Sequence, residues 1–249
     1  GLTLNADTNG DGTGDLDVAD SITVSSNGDV ISITANDIDL NSTGSIASGN
    51  LSITDSDNTG IGLGGTPING GLNISDAELG NIAASNLTLS TTGSILVDGI
   101  TSGNTGNITG TTLLSSGSNV SFSNADSTFT NSLSVQANSN ITVGQNLTST
   151  SGSIALDGDS DNNVDGTISI GDGLTIQAGN TLSLDATTGG ISASNLTLTS
   201  DSSSVTINDI TNVAGALNIT ADNDVNLVAN VTTSGVTTID ADNNTGDDD

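Results

Sequence analysis

Apolar residues in this chain come almost entirely in alternating pairs, Φ-x-Φ with Φ a Leu, Ile or Val: LTL, ITV, LSI, ISI and LSL recur along its whole length. Alternation over three to five residues is the period of a β-strand, in which successive side chains point to opposite faces. Apolar residues never recur at i, i+3, i+4, i+7 over a helical length, so no α-helix is expected. Clusters of Gly, Asn, Asp and Ser separate the short strands every six to ten residues. Such a chain folds as a sandwich, a barrel or a solenoid, and internal repeats discriminate among them.

Repeats are present. LSVQANSNITV at 133–143 realigns with LTIQAGNTLSL at 174–184 and LNITADNDVNL at 217–227, each reading Φ-x-Φ-x-Ala-x-x-x-Φ-x-Φ. IASGNLSI at 46–53 returns as IAASNLTL at 82–89 and ISASNLTL at 191–198, and a Ser/Thr-Gly-Ser-Ile element recurs at Gly44, Gly93 and Gly152. The strand starts Leu133, Ile154, Leu174, Leu196 and Leu217 step by 20 to 22 residues. A unit of roughly 21 residues holding two or three short strands is one coil of a parallel β-helix, whose coils stack about 4.8 Å apart. The chain is therefore expected to be all-β, a β-solenoid of about 12 coils occupying residues 1–249 as a single repeat region. Leu133, Val135, Leu174, Ile176, Leu196, Leu198, Leu217 and Ile219 are expected to stack inside one core, with Ser134, Thr175, Thr197 and Asn218 outside.

Composition agrees with a narrow bore. Phe122 and Phe129 are the only aromatic residues among 249, so the interior has to be filled by ladders of Ile, Leu and Val. The chain carries 29 acidic groups, one of them Glu78, and no Lys, Arg, His or Cys. That removes imidazole bases, Schiff-base lysines, thiol nucleophiles, thiolate metal sites and disulfides. Without basic residues it is not expected to bind nucleic acid, whose recognition rests on counterions released by Lys and Arg. No apolar run reaches the roughly 18 residues of a membrane span, so membrane insertion is not expected either. The chain begins at Gly1 without Met or a signal-peptide pattern and ends in Asp247, Asp248 and Asp249, which reads as a fragment of a longer chain.

The strings GNLSI, ADNDVNL, TSGSIAL and ALNIT resemble the repeat tracts of filamentous-haemagglutinin-like exoproteins and related large bacterial surface adhesins. That resemblance implies secretion through the outer membrane and a right-handed parallel β-helical fibre used for adhesion, biofilm formation or surface coating. It extends over nearly the whole chain and concerns the shaft; it does not identify a target.

Three acidic stretches invite a metal-site reading. Asp7, Asn9, Asp11 and Asp15 place oxygen ligands at positions 1, 3, 5 and 9 of a calcium loop, with Gly12 at position 6, although Val18 stands where the bidentate Glu belongs. Asp157, Asp159, Asp161 and Asp165 repeat the spacing with Asn162 in place of the Gly, and Asp240, Asp242 and Asn244 form a partial third. The competing reading is that Asp, Asn and Gly simply make solvated turns. Asp37/Asp39, Asp55/Asp57 and Asp222/Asp224 resemble glycosidase carboxylate pairs. No aromatic sugar platform, cation or long cleft-forming loop accompanies them, so they are expected to form a solvated face and the chain is not expected to be an enzyme. Asn-Φ-Thr/Ser triplets such as those at Asn86 and Asn146 follow from the strand pattern without any need for glycans.

These observations lead to a non-catalytic structural shaft of a secreted or cell-surface bacterial fibre, associating with itself or with other surface proteins or polysaccharides. The alternative is a carbohydrate- or calcium-binding module of a matrix or biofilm protein, stacking end to end into filaments through open strand edges.

Overall fold

A computed structural model describes residues 1–163, 166–187, 189–209 and 211–243. The chain winds repeatedly through three faces, and every strand pair among the described residues is parallel. Face one is a ten-stranded sheet running from Leu2–Asn5 at one end to Val225–Leu227 at the other. Face two begins with Asp15–Val18 paired to Asp37–Leu40 and continues as a nine-stranded sheet ending at Val231–Thr233. Face three begins with Thr23–Ser25, Ser45–Ala47 and Ile82–Ala83 and resumes as six strands from Ser127–Phe129 to Thr237–Asp240.

Register follows from alternation, because a slip of one residue would turn a whole apolar set to solvent. On face one a single column runs Leu4, Ile33, Ile53, Leu89, Leu114, Val135, Leu156, Leu184, Ile207, Leu227. Its middle members are fully buried, whereas Leu227 in the last coil is 41% exposed because no further coil covers it. The outward row beside this column is Ser, Thr or Asn except at Leu113 and Ala155. The eight expected core residues do point inward, with Leu174 only partly covered. They are shared between two faces: Leu133 and Val135 belong to face one, while Leu174, Leu196 and Leu217 stack as one column on face three and Ile176, Leu198 and Ile219 as a second.

Ten levels on face one replace the expected twelve, because only some coils take the minimum length. Leu133 pairs with Ile154, 21 residues on, but Leu51 pairs with Leu87, 36 residues on. In that long coil, Gly60–Gly64 and Leu72–Ile74 lie side by side on face two, which gains an extra strand. Two single helical turns, Asp76–Leu79 and Ser102–Thr105, also depart from the all-strand expectation. The first is set by a capping box, in which Ser75 Oγ accepts from the Glu78 amide and Glu78 Oε2 accepts from the Ser75 amide. The second stacks on it through Thr101 and Asn104, which donate to the Asp76 carboxylate at 2.7 to 2.9 Å.

Corners explain the recurrent glycines. A Cβ at Gly44, Gly93 or Gly152 would meet backbone atoms of the preceding coil at 2.2 to 2.6 Å, so only glycine lets the chain pass there. These three equivalent glycines lead into face three, face two and face one respectively. One local signal therefore serves all three corners.

Candidate functional site

The acidic loops both open at the corner between face one and face two. Leu2 pairs with Ile31 and Ile154 with Leu182, offsets of 29 and 28, and in each coil the added residues form this loop. Asp7, Gly10, Asp11 and Gly14 of the first loop correspond to Asp159, Asn162, Asn163 and Gly166 of the second. Asp7 accepts from the amide of Asp11 and Asp159 from that of Asn163, the same i to i+4 bond. Gly10 and Asn162, at the same loop position, have φ of 64° and 56°. Gly14 and Gly166 close the loops against the backbone where they left the strand: a Cβ would lie 2.3 Å from the Ala6 carbonyl oxygen in one and 2.0 Å from that of Gly158 in the other. Calcium-loop spacing pairs Asp7 with Asp157, whereas the structure pairs Asp7 with Asp159.

In the first loop Asp7 is buried and turned inward. Its Oδ1 accepts from the amides of Gly10 (2.9 Å) and Asp11 (3.3 Å), and its Oδ2 from Gly12 N–H (3.1 Å) and Ser56 Oγ–H (2.8 Å). The Ser56 hydroxyl, helped by these amides and opposed by burial, holds its carboxyl below the ordinary carboxylate value. Asp7 therefore acts as the loop's internal cap. Asn9 and Asp11 are at the exposed tip, where Asp11 accepts from Asn9 Nδ2 (2.6 Å) and Thr13 Oγ1 (2.5 Å). Asp15 lies beyond the loop on face two and accepts from Asn36 Nδ2 at 3.0 Å.

In the second loop Asp159 is fully buried, and its Oδ2 has no hydrogen-bond partner among the described residues. Asp157 sits outside it at the end of a face-one strand, in register with Asp185. Burial, with Asp185 and Asp159 adding like charge, raises its carboxyl above the ordinary value. Asp161 is exposed and accepts from Asn163 Nδ2 at 3.0 Å. Asp165 lies outside the described residues, as does Asn244 of the third stretch, where the Asp242 amide donates to Asp240.

Four further polar residues at this corner take part. Asp55 does not belong to a solvated face: it is 2% exposed, because the alternation Leu51, Ile53, Asp55 continues inward. Its Oδ2 accepts from Gly60 N–H (2.9 Å) and Thr91 Oγ1–H (2.7 Å). Asp57 lies close enough to share a hydrogen bond with it, and burial together with that neighbour raises Asp55. Asp57 itself is lowered: burial opposes this, but the Thr59 amide and hydroxyl, at 2.9 and 2.8 Å, prevail. Asp37 is raised by burial, with Asp15 and Glu78 adding repulsion against amide bonds from Asn73 and Ile38. Asn36 completes the set.

Among the described residues no three or more Asp or Glu side chains are grouped to hold a metal ion, and no helix is long and apolar enough to cross a membrane. A shallow groove of about 320 Å³ on face three is lined by small uncharged residues, including Ser25, Ala47, Ser48, Ala83 and Thr109, and lies away from the acidic corner. Comparison with protein-family models, curated proteins and solved structures finds no match to this chain.

Proposed function

We propose that this chain is the structural, non-catalytic shaft of a secreted or cell-surface fibre. The observation that carries the reading is the unbroken ten-member apolar column of face one, which makes length the property that the repeats build. Each coil contacts chiefly its neighbours, so adding or removing coils alters reach without changing the cross-section. The outer rows, chiefly Ser, Thr and Asn, supply a hydrated flank on which the only charged side chains are acidic.

Solution scattering tests this reading. Nine steps of about 4.8 Å give a rod roughly 43 Å long, and excision of residues 133–153, one register repeat, is expected to shorten it by about 5 Å while cooperative unfolding persists. A spherical particle, a chain that cannot fold after the excision, or turnover of a polysaccharide by the purified protein would overturn it.

A further inference from the structure

We propose that the corner joining coils two and three binds a divalent cation through Asp55, Asp57 and the side-chain carbonyl of Asn36. Asp55 is 2% exposed, and while its Oδ2 has two donors its Oδ1 has none. Asn36 points Nδ2 at Asp15, which fixes the amide's orientation and leaves its Oδ1 buried without a partner. Asp57 Oδ2 and Asn36 Oδ1 border the same space: a Cβ on Gly12, which has none, would sit 3.1 Å from the first and 3.8 Å from the second.

Buried acceptors without donors are costly, and paired carboxylates this close repel unless something positive lies between them. The chain has no Lys, Arg or His to supply it, and the Gly1 ammonium lies against Asp29, at 3.5 Å. Two carboxylates and an amide carbonyl form a hard, all-oxygen set, the chemistry of calcium rather than of metals that select nitrogen or sulfur. The neighbouring Asp7 makes the contrast, since its two oxygens already receive four donors. The cation therefore belongs beneath the loop, not at its centre.

The test uses the whole chain, titrated calorimetrically with calcium chloride and with magnesium chloride at constant ionic strength, and melted in parallel with sodium chloride as the screening control. Calcium is expected to show a saturable site and to raise the unfolding midpoint beyond the sodium control. Asp57→Asn, which retains an acceptor for Thr59, and Asn36→Ala are each expected to weaken that site by at least about tenfold, and Asp11→Asn at the loop tip to leave it unchanged. Asp55→Asn is avoided because it alters a buried group. Calcium that acts only as sodium does, an isotherm untouched by Asp57→Asn, or a loss confined to Asp11→Asn would each overturn the proposal. Stabilisation by acid alone, with no calcium increment near neutral pH, would assign a shared proton to the pair and overturn it as well.

Discussion

Replacing Ile176 by Asp probes the bore where it is best sealed. Ile176 is fully buried on face three, stacked between Leu147 and Leu198, with Ile219 one level further on. Losing the buried side chain removes about 2 kcal/mol of transfer free energy, and leaving a carboxylate there adds several more, since no cationic side chain exists to pair with it. The total is on the order of 5 kcal/mol or more, which for a chain of this size lowers the unfolding midpoint by roughly 10 to 20 °C. Thermal melts followed by circular dichroism, with Ile176→Ala and Thr197→Asp alongside, resolve the contributions. Ile176→Ala is expected to cost about 2 to 5 kcal/mol, and Thr197→Asp, on the outer surface of the same strand stack, less than about 1 kcal/mol. Ile176→Asp and Thr197→Asp melting together would refute the inward assignment of face three.

The pH dependence has two limbs. Asp37, Asp55 and Asp157 have carboxyls raised by burial, so the folded state takes up their protons more readily and stability is expected to rise as pH falls from neutral towards the ordinary value of 3.8. Asp7 and Asp57 are lowered, so their contribution is present above 3.8 and is lost as pH falls through their folded values. A midpoint that is highest in mild acid and drops again below is the expected profile, and one that increases steadily up to alkaline pH would contradict it. Gly152→Ala would place a Cβ 2.2 Å from the Ser132 amide nitrogen and is expected to destabilise by about 1 to 3 kcal/mol. Gly103→Ala, whose new Cβ would have nothing within 4 Å beyond its chain neighbours and its own helical turn, is the neutral control in the same melts.

Strand content, inward and outward positions and the stacking of coils were legible because alternation is local and every core ladder repeats it. Face membership was not. The Φ-x-Φ-x-Ala-x-x-x-Φ-x-Φ motif turns from face one to face two at Ala137 but from face three to face one at Ala178 and Ala221, since a tight corner with a small inward residue is the same physical problem wherever it occurs. The sequence step from Ile154 to Leu174 therefore crosses faces, and Ile154 pairs with Leu182. At the acidic corner, the spacing of Asp and Asn marked both loops but not their alignment, which is set by the glycine that closes each one. Asp55 was readable as an inward position from Leu51 and Ile53. Asn36 carried no such signal, because its role depends on which residues lie one coil away.

A chain without cysteine makes the stacking directly measurable by paired cysteine substitution. Ala155 and Ser183 face outward on register-matched strands, at the spacing of neighbouring coils, which lies within the Cα separation that a disulfide accepts. Mild oxidation of the Ala155→Cys/Ser183→Cys double variant is expected to give an intramolecular disulfide in high yield, visible as a mobility shift reversed by reductant. Ala155→Cys/Thr175→Cys, the pair that a uniform 20-residue step would bring together, is expected to remain reduced. Efficient closure of the second pair with failure of the first would contradict the three-faced, unequal-coil rod.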